Sequence, residues 1–309
     1  MRFLRIILTG SIFIFSLLEN SSYAQELEPR AYSNIPVGLN FILAGYGYSV
    51  GGILFDPSIP LDNAHIKIHG SVLAYARSIR LGRLSGKVDM VLPYAWLSGT
   101  ADFQGEPVSR AVNGMGDPRL SMTVNFVGAP ALTLSEFRDY KQNLVLGGSL
   151  KVYMPLSQYD PERLVNVGTN RFAFKPELGI SKTLGPLFLE LSTSVTFFTK
   201  NNDFVDGWER SQDPLGAIQG HAIYNFTRAI WLALDGTYYW GGRTTTEGVR
   251  GGDLQRNTRL GITFSLPLGI HQSIKLYFST GISTRTGSDF DAVGLVWQYR
   301  WGKGFPKKQ

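Results

Sequence analysis

Residues 291–301 read DAVGLVWQYRW. Val293, Leu295, Trp297, Tyr299 and Trp301 are apolar or aromatic, and Gly294, Val296, Gln298 and Arg300 stand between them. Alternation with a period of two marks a strand whose side chains point to opposite faces. One of those faces is wholly apolar, and its aromatics gather towards one end. A soluble sheet hides such a face beneath a second layer, so the fold turns on what covers this one.

Working outward from that strand, the same alternation recurs along the chain. Ten segments carry it clearly, among them 88–96, 119–126, 144–154, 187–198 and 230–240, and two weaker ones precede them at 39–48 and 66–77. Most are as long as a tilted membrane strand, ~9–11 residues. In the ten clear segments one face carries no charge. The other holds Lys87, Asp89, Arg119, Lys151, Lys175, Glu177, Glu190, His221, Asp235, Arg259, Lys275 and Arg300. The connections alternate between long (for example 97–118, 155–171 and 241–256) and tight (182–186, 227–229 and 267–273). Short turns at one end and long loops at the other are the mark of an outer-membrane barrel. One connection on the short side, 127–143, is longer, and Leu134, Phe137 and Tyr140 within it predict a short amphipathic helix.

Composition agrees. Charged residues make up 17% of the chain, below the roughly 25% of soluble proteins, and glycine is abundant at 35 of 309. No apolar run beyond the leader is long enough for a spanning helix. Arg2 and Arg5, the apolar stretch 6–18 and the small residues before position 25 predict a signal peptide over 1–24. The chain then divides into a periplasmic segment at 25–38, a barrel over 39–305 and a tail at 306–309. There is no cysteine, which excludes disulfides, lipid anchoring through a thioether and thiolate chemistry. A net charge of +6 does not argue for a nucleic-acid partner.

The layer that covers the apolar face is therefore lipid. The expected fold is an all-β transmembrane antiparallel up-and-down barrel of about 12 strands in a Gram-negative outer membrane, with both termini periplasmic. Closure is required because an open sheet edge cannot be satisfied in hydrocarbon. Trp96, Phe126, Tyr238, Trp240, Tyr299 and Trp301 are the expected girdle residues. The charged face lines the lumen, which also receives Tyr153, Phe188, Trp231, Tyr239 and Tyr277. Twelve strands lie between the filled barrel of about 8 and the aqueous channel of about 16–18, so a narrow lumen is expected. Its charges either brace the wall or line a mildly basic path for a solute. The final strand, with Gly294, Trp297 and Tyr299, reads as the signal taken up by the barrel-assembly machinery.

Catalytic and metal motifs are sparse. His65 and His69 fall on a strand, where four residues span roughly 13 Å at ~3.3 Å each, too far to share one ion. Gly45, Gly47 and Gly51 miss the dinucleotide-binding pattern. Asp203 and Asp206, and Asp289 and Asp291, are acid pairs in expected loops without calcium-loop spacing. No cofactor is implied.

Several stretches are similar to a family of outer-membrane proteins described as "Putative MetA-pathway of phenol degradation". They are ELEPRAYSNIPVGLNF, GDPRLSMTVN followed by GAPAL, QYDPERLVNVGTNRFAFKPELGISK, GGRTTTEGV and STRTGSDFDAVGLVWQYRWG. The resemblance implies a barrel that passes small aromatic or other hydrophobic solutes. Two other functions remain open on the residues alone. One is a barrel enzyme such as a lipid hydrolase, which needs a Ser–His pair on one wall. The other is a structural or adhesion barrel acting through its loops.

Overall fold

The structure, a computed structural model, describes residues 28–52, 61–103, 105–205, 207–227, 229–286 and 289–305. The expected signal peptide and the tail at 306–309 lie outside the described residues.

The strands are β1 (Leu39–Gly52), β2 (Leu61–Leu81), β3 (Leu84–Phe103), β4 (Glu106–Met115), β5 (Arg119–Pro130), β6 (Leu144–Tyr153), β7 (Ala173–Leu184), β8 (Leu187–Phe198), β9 (Asn201–Phe204), β10 (Trp208–Gln212), β11 (Leu215–Asn225), β12 (Trp231–Gly241), β13 (Thr244–Thr246), β14 (Val249–Arg250), β15 (Gln255–Pro267), β16 (Gln272–Ser283) and β17 (Asp289–Gly302). Thirteen of them form one antiparallel sheet. β4 prolongs the wall beside the upper part of β3 and β5 takes over lower down, leaving twelve strands around the ring. β1 pairs with β17 from Leu39↔Gly302 to Gly52↔Asp289, and this seam closes the barrel. Every ladder group in the wall therefore has a neighbour, the condition for strands in hydrocarbon.

Burial follows the expected phase. On β5, Arg119, Ser121, Thr123 and Asn125 are buried while Leu120, Met122 and Phe126 are exposed. On β12, Asp235, Thr237 and Tyr239 are buried while Leu234, Tyr238 and Trp240 are exposed. The exposed apolar side chains form a belt that only lipid can cover. Aromatics mark its two edges: Tyr238 stacks with Trp240 and Tyr94 packs on Trp96 at the loop end, while Tyr75, Tyr299 and Trp301 meet at the turn end. Outward charges on β2 stand beyond the belt, Lys67 towards the loops and Arg77 towards the turns.

Three connections expected as loops contain structure: 97–118 continues β3 to Phe103 and turns back as β4, paired with it. β9, β10, β13 and β14 form a separate four-stranded sheet at the loop end, drawn from 199–215 and 241–256. Its strands are too short to show a periodic pattern, and pairing between two separate connections is invisible to local reading. The amphipathic helix expected in 127–143 is instead one 3-10 turn, Glu136–Arg138. There the Glu136 carboxylate accepts the N–H and hydroxyl of Thr133, which holds a single turn without propagating it.

Candidate functional site

The lumen has two chemically different halves. The wall from β3 and β5 round to β15 is packed and holds most of the buried charge, alongside two apolar clusters, one of Leu215, Ala217 and Tyr239 and one of Ile223, Trp231 and Ala233. Lys151 Nζ lies 2.9 Å from Glu28 Oε2, and Arg119 reaches both Glu28 (3.3 Å) and Asp89 (3.2 Å). Lys87 stands 3.6 Å from Asp89. His221 Nδ1 is 2.6 Å from Asp235 Oδ1, and Thr263 donates to the other oxygen of that carboxylate. Arg259 donates to Ser279 Oγ and to the Phe290 carbonyl, with its guanidinium 3.9 Å from the Phe290 ring centroid. Lys175, Glu177 and Glu190 are buried on the same face. These groups brace one another across strands, which is how charge survives in a packed interior.

Much of this half is covered by residues 28–38. The stretch 25–38, expected as a periplasmic segment, runs inside the wall over its described part. Tyr32 is only 2% exposed, and its hydroxyl donates to Glu177 Oε1 at 2.8 Å. Glu190 accepts the Arg30 N–H and the hydroxyls of Ser181 and Ser33. The Arg30 guanidinium bonds Asn225 and lies 5.0 Å and 5.4 Å from the Trp231 and Phe188 ring centroids. Burial pushes the Glu28 carboxyl up, but Lys151, Arg119 and Lys87 outweigh it and hold the group well below the ordinary carboxylate range. Burial, reinforced by the Glu177 carboxylate, raises the Tyr32 hydroxyl.

On the other side the inner face of β1 and β2 is mainly apolar, while the flanking β3 and β16 contribute Lys87, Asp89, Lys275 and Ser279. Phe41 faces Ala76 and Leu43 faces Ala74 across β1 and β2, and Gly45 lies between Val72 and Val296. Higher up come Ile68 and Ile66 of β2 and Leu97 of β3. Phe41, Leu43, Val72, Ala74 and Val296 are half-buried rather than buried, so they border open lumen. The result is an apolar track running the height of the wall beside a packed polar half.

The connection 154–172 folds over the loop end of this track. Val165 packs against Ile66, Ile68 and Leu97, and its carbonyl accepts from Arg110 Nε. Asp117, 2% exposed at the break between β4 and β5, fixes that connection. Its carboxylate accepts Ser157 Oγ (2.6 Å), Thr169 N (2.9 Å) and Thr169 Oγ1 (2.8 Å). A Cβ at Gly168 would stand 1.5 Å from Ser157 Oγ, so the staple needs glycine there.

The remaining expected residues are placed as follows. Lys275 points inwards from β16 with its Nζ 5.8 Å from the Trp231 centroid. Arg300 shares the inward phase but sits exposed at the turn-end rim, donating to the Ile270 carbonyl. His65 and His69 face outward on β2, and His69 joins the girdle through Tyr46 Oη at 3.0 Å and the edge of Tyr48. Sequence reasoning did not single out Glu28, Tyr32, Asp117 or the apolar track. Asp117 lies in GDPRL and Thr169 in NVGTN, so two of the stretches that resemble the family form the two sides of this staple.

The sequence profile of the family described as "Putative MetA-pathway of phenol degradation" matches residues 62–299. The chain belongs to that family. Among curated protein sequences none matches it. Of solved structures, an outer-membrane channel from Pseudomonas putida F1 is 18% identical, covers 89% of this chain and 100% of its own, and superposes with a TM-score of 0.74. The β domain of the Bordetella autotransporter BrkA is 12% identical, with 85% and 100% coverage and a TM-score of 0.53. Both likenesses concern the fold: a closed, lipid-belted, twelve-stranded outer-membrane barrel.

Proposed function

We propose that this barrel is an outer-membrane channel for small hydrophobic solutes, aromatic ones included. The apolar inner track carries the proposal. Wetting Phe41, Leu43, Val72 and Val296 is unfavourable by about 25 cal/mol per Å² of apolar surface, and an apolar solute relieves that cost. A water-filled sugar or ion pore gains nothing from such a wall. The family's phenol-degradation description and the channel from Pseudomonas putida F1 support the same reading. The segment 28–38 lies mostly against the charged wall and meets β2 only at its turn end, where Pro36 and Gly38 bond Ser78, so the half-buried stretch from Phe41 to Val72 stays open to an apolar guest.

An enzymatic reading has one observation to answer for, the His221–Asp235 pair. Its carboxylate is shared with Thr263, and the group sits in the packed polar half rather than on the track. We assign it a bracing role. We place both termini on the periplasmic side, the orientation that the short turns favour.

The reading is tested in Gram-negative host cells whose intact outer leaflet retards apolar probes. Expression of the barrel is expected to speed the entry of phenylnaphthylamine severalfold, with little effect on a hydrophilic probe of equal size. Equal acceleration of both indicates an ordinary aqueous pore.

A further inference from the structure

Nearly every lumen cation near residues 28–38 has a carboxylate or a built hydrogen-bond partner. Lys151 and Arg119 share Glu28, Arg119 and Lys87 share Asp89, and Arg30 bonds Asn225. Lys275 differs. It makes no hydrogen bond or ion pair with a described residue, and its ammonium group lies 5.8 Å from the Trp231 ring centroid. The charged groups close enough to act on it are Lys87, Glu28 and Arg30, two cations and one carboxylate already taken by Lys151 and Arg119.

Its position relative to the track is what gives this meaning. In the β16–β17 ladder Lys275 stands directly opposite Val296. Val296 and Val72 close over Gly45: a Cβ there would meet Val72 Cγ1 at 2.6 Å and Val296 Cγ2 at 3.2 Å. Lys275 thus stands between the buried indole of Trp231, which Arg30 also meets, and a half-buried aliphatic patch that borders the lumen. Lysine gives a point charge with three rotatable donors, suited to an anion that arrives on a flexible or variable body.

We infer that Lys275 and the adjoining Val72–Gly45–Val296 patch form a binding site for an amphipathic organic anion: an aromatic or aliphatic body bearing one carboxylate. The inference rests on the channel reading and narrows it to apolar acids. The carboxylate meets Lys275 Nζ, and the body lies on the patch. A neutral analogue keeps the apolar contacts and loses the charged hydrogen bond.

The test is calorimetric titration of the purified full-length barrel in non-ionic micelles at pH 7, corrected for empty micelles. The two probes are 4-butylbenzoate and 4-butylbenzyl alcohol. The wild type is expected to bind the benzoate about tenfold more tightly than the alcohol, the range of one hydrogen bond to a charged group. Lys275→Gln should bring the ratio close to one, and Lys275→Arg should keep most of it. Unheated gel mobility checks that each variant is a folded barrel. A ratio near one in the wild type, or an equal ratio in wild type and Lys275→Gln, overturns the anion site while leaving the channel reading intact. Binding of neither probe overturns both.

Discussion

The ring of Tyr32 lies directly over Gly179: a Cβ on that glycine would stand 2.0 Å from Cε2 of the ring, and one on Gly147 would stand 2.6 Å from Cδ1. Two strands of the wall, β6 and β7, therefore give up side chains so that the N-terminal segment can lie flat against them. Gly179→Leu should expel Tyr32 and loosen residues 28–38 without opening the barrel itself. Single-channel recordings should show larger or more frequent conducting events than the wild type, with unheated gel mobility unchanged. Unaltered recordings would mean that Tyr32 does not hold the segment in place.

The second prediction concerns pH. Glu28 has a folded pKa depressed by Lys151, Arg119 and Lys87. A depressed carboxylate contributes stability above its unfolded value, near 4.3, and loses that contribution as pH falls through the lower folded value. The segment should therefore stay seated from neutral pH down to about the unfolded value and be released below it. Amide hydrogen exchange of residues 28–38 reports this directly. Glu28→Gln should exchange faster at pH 7 and gain less on acidification. A variant that matches the wild type at both pH values would show that the ion pairs do not seat the segment.

The third prediction separates the two faces of β12. Leu234 is 60% exposed on the lipid side and Thr237 is 4% exposed on the lumen side. Leu234→Arg puts a charge into hydrocarbon, at a cost of ~2–4 kcal/mol near the midplane, and should reduce the folded fraction on an unheated gel. Thr237→Arg enters a polar interior and should assemble better. Equal loss in both would mean that β12 is wrongly phased.

What the sequence revealed and concealed has a physical basis. β12 and β17 were legible because lipid on one side and polar lumen on the other make residues alternate. β1 and β2 read weakly for the opposite reason. Phe41, Leu43 and Val72 face the lumen while Ile42, Leu73 and Tyr75 face lipid, so both faces are apolar and the period of two fades. The weakness of those strands was itself the trace of the apolar track. Asp89, Arg119, Lys151, Lys175, Glu177, Glu190, His221, Asp235 and Arg259, the charged phase of the alternation, are buried. Their partners were not legible, because Glu28 meets Lys151 at a separation of 123 residues, which no local pattern encodes. Asp117 falls in the expected long loop 97–118, and only the fold brings Ser157 and Thr169 to it.

The central claim is that apolar solutes move along the β1–β2–β17 side of the lumen. It is tested most directly by polarising that side alone. Val72→Asn places an amide on the inner face opposite Gly45, at a half-buried position. Phenylnaphthylamine entry is measured in host cells carrying equal amounts of folded wild-type or variant barrel. The account predicts a severalfold slower entry through Val72→Asn. Entry as fast as through the wild type, at equal barrel density, would contradict it.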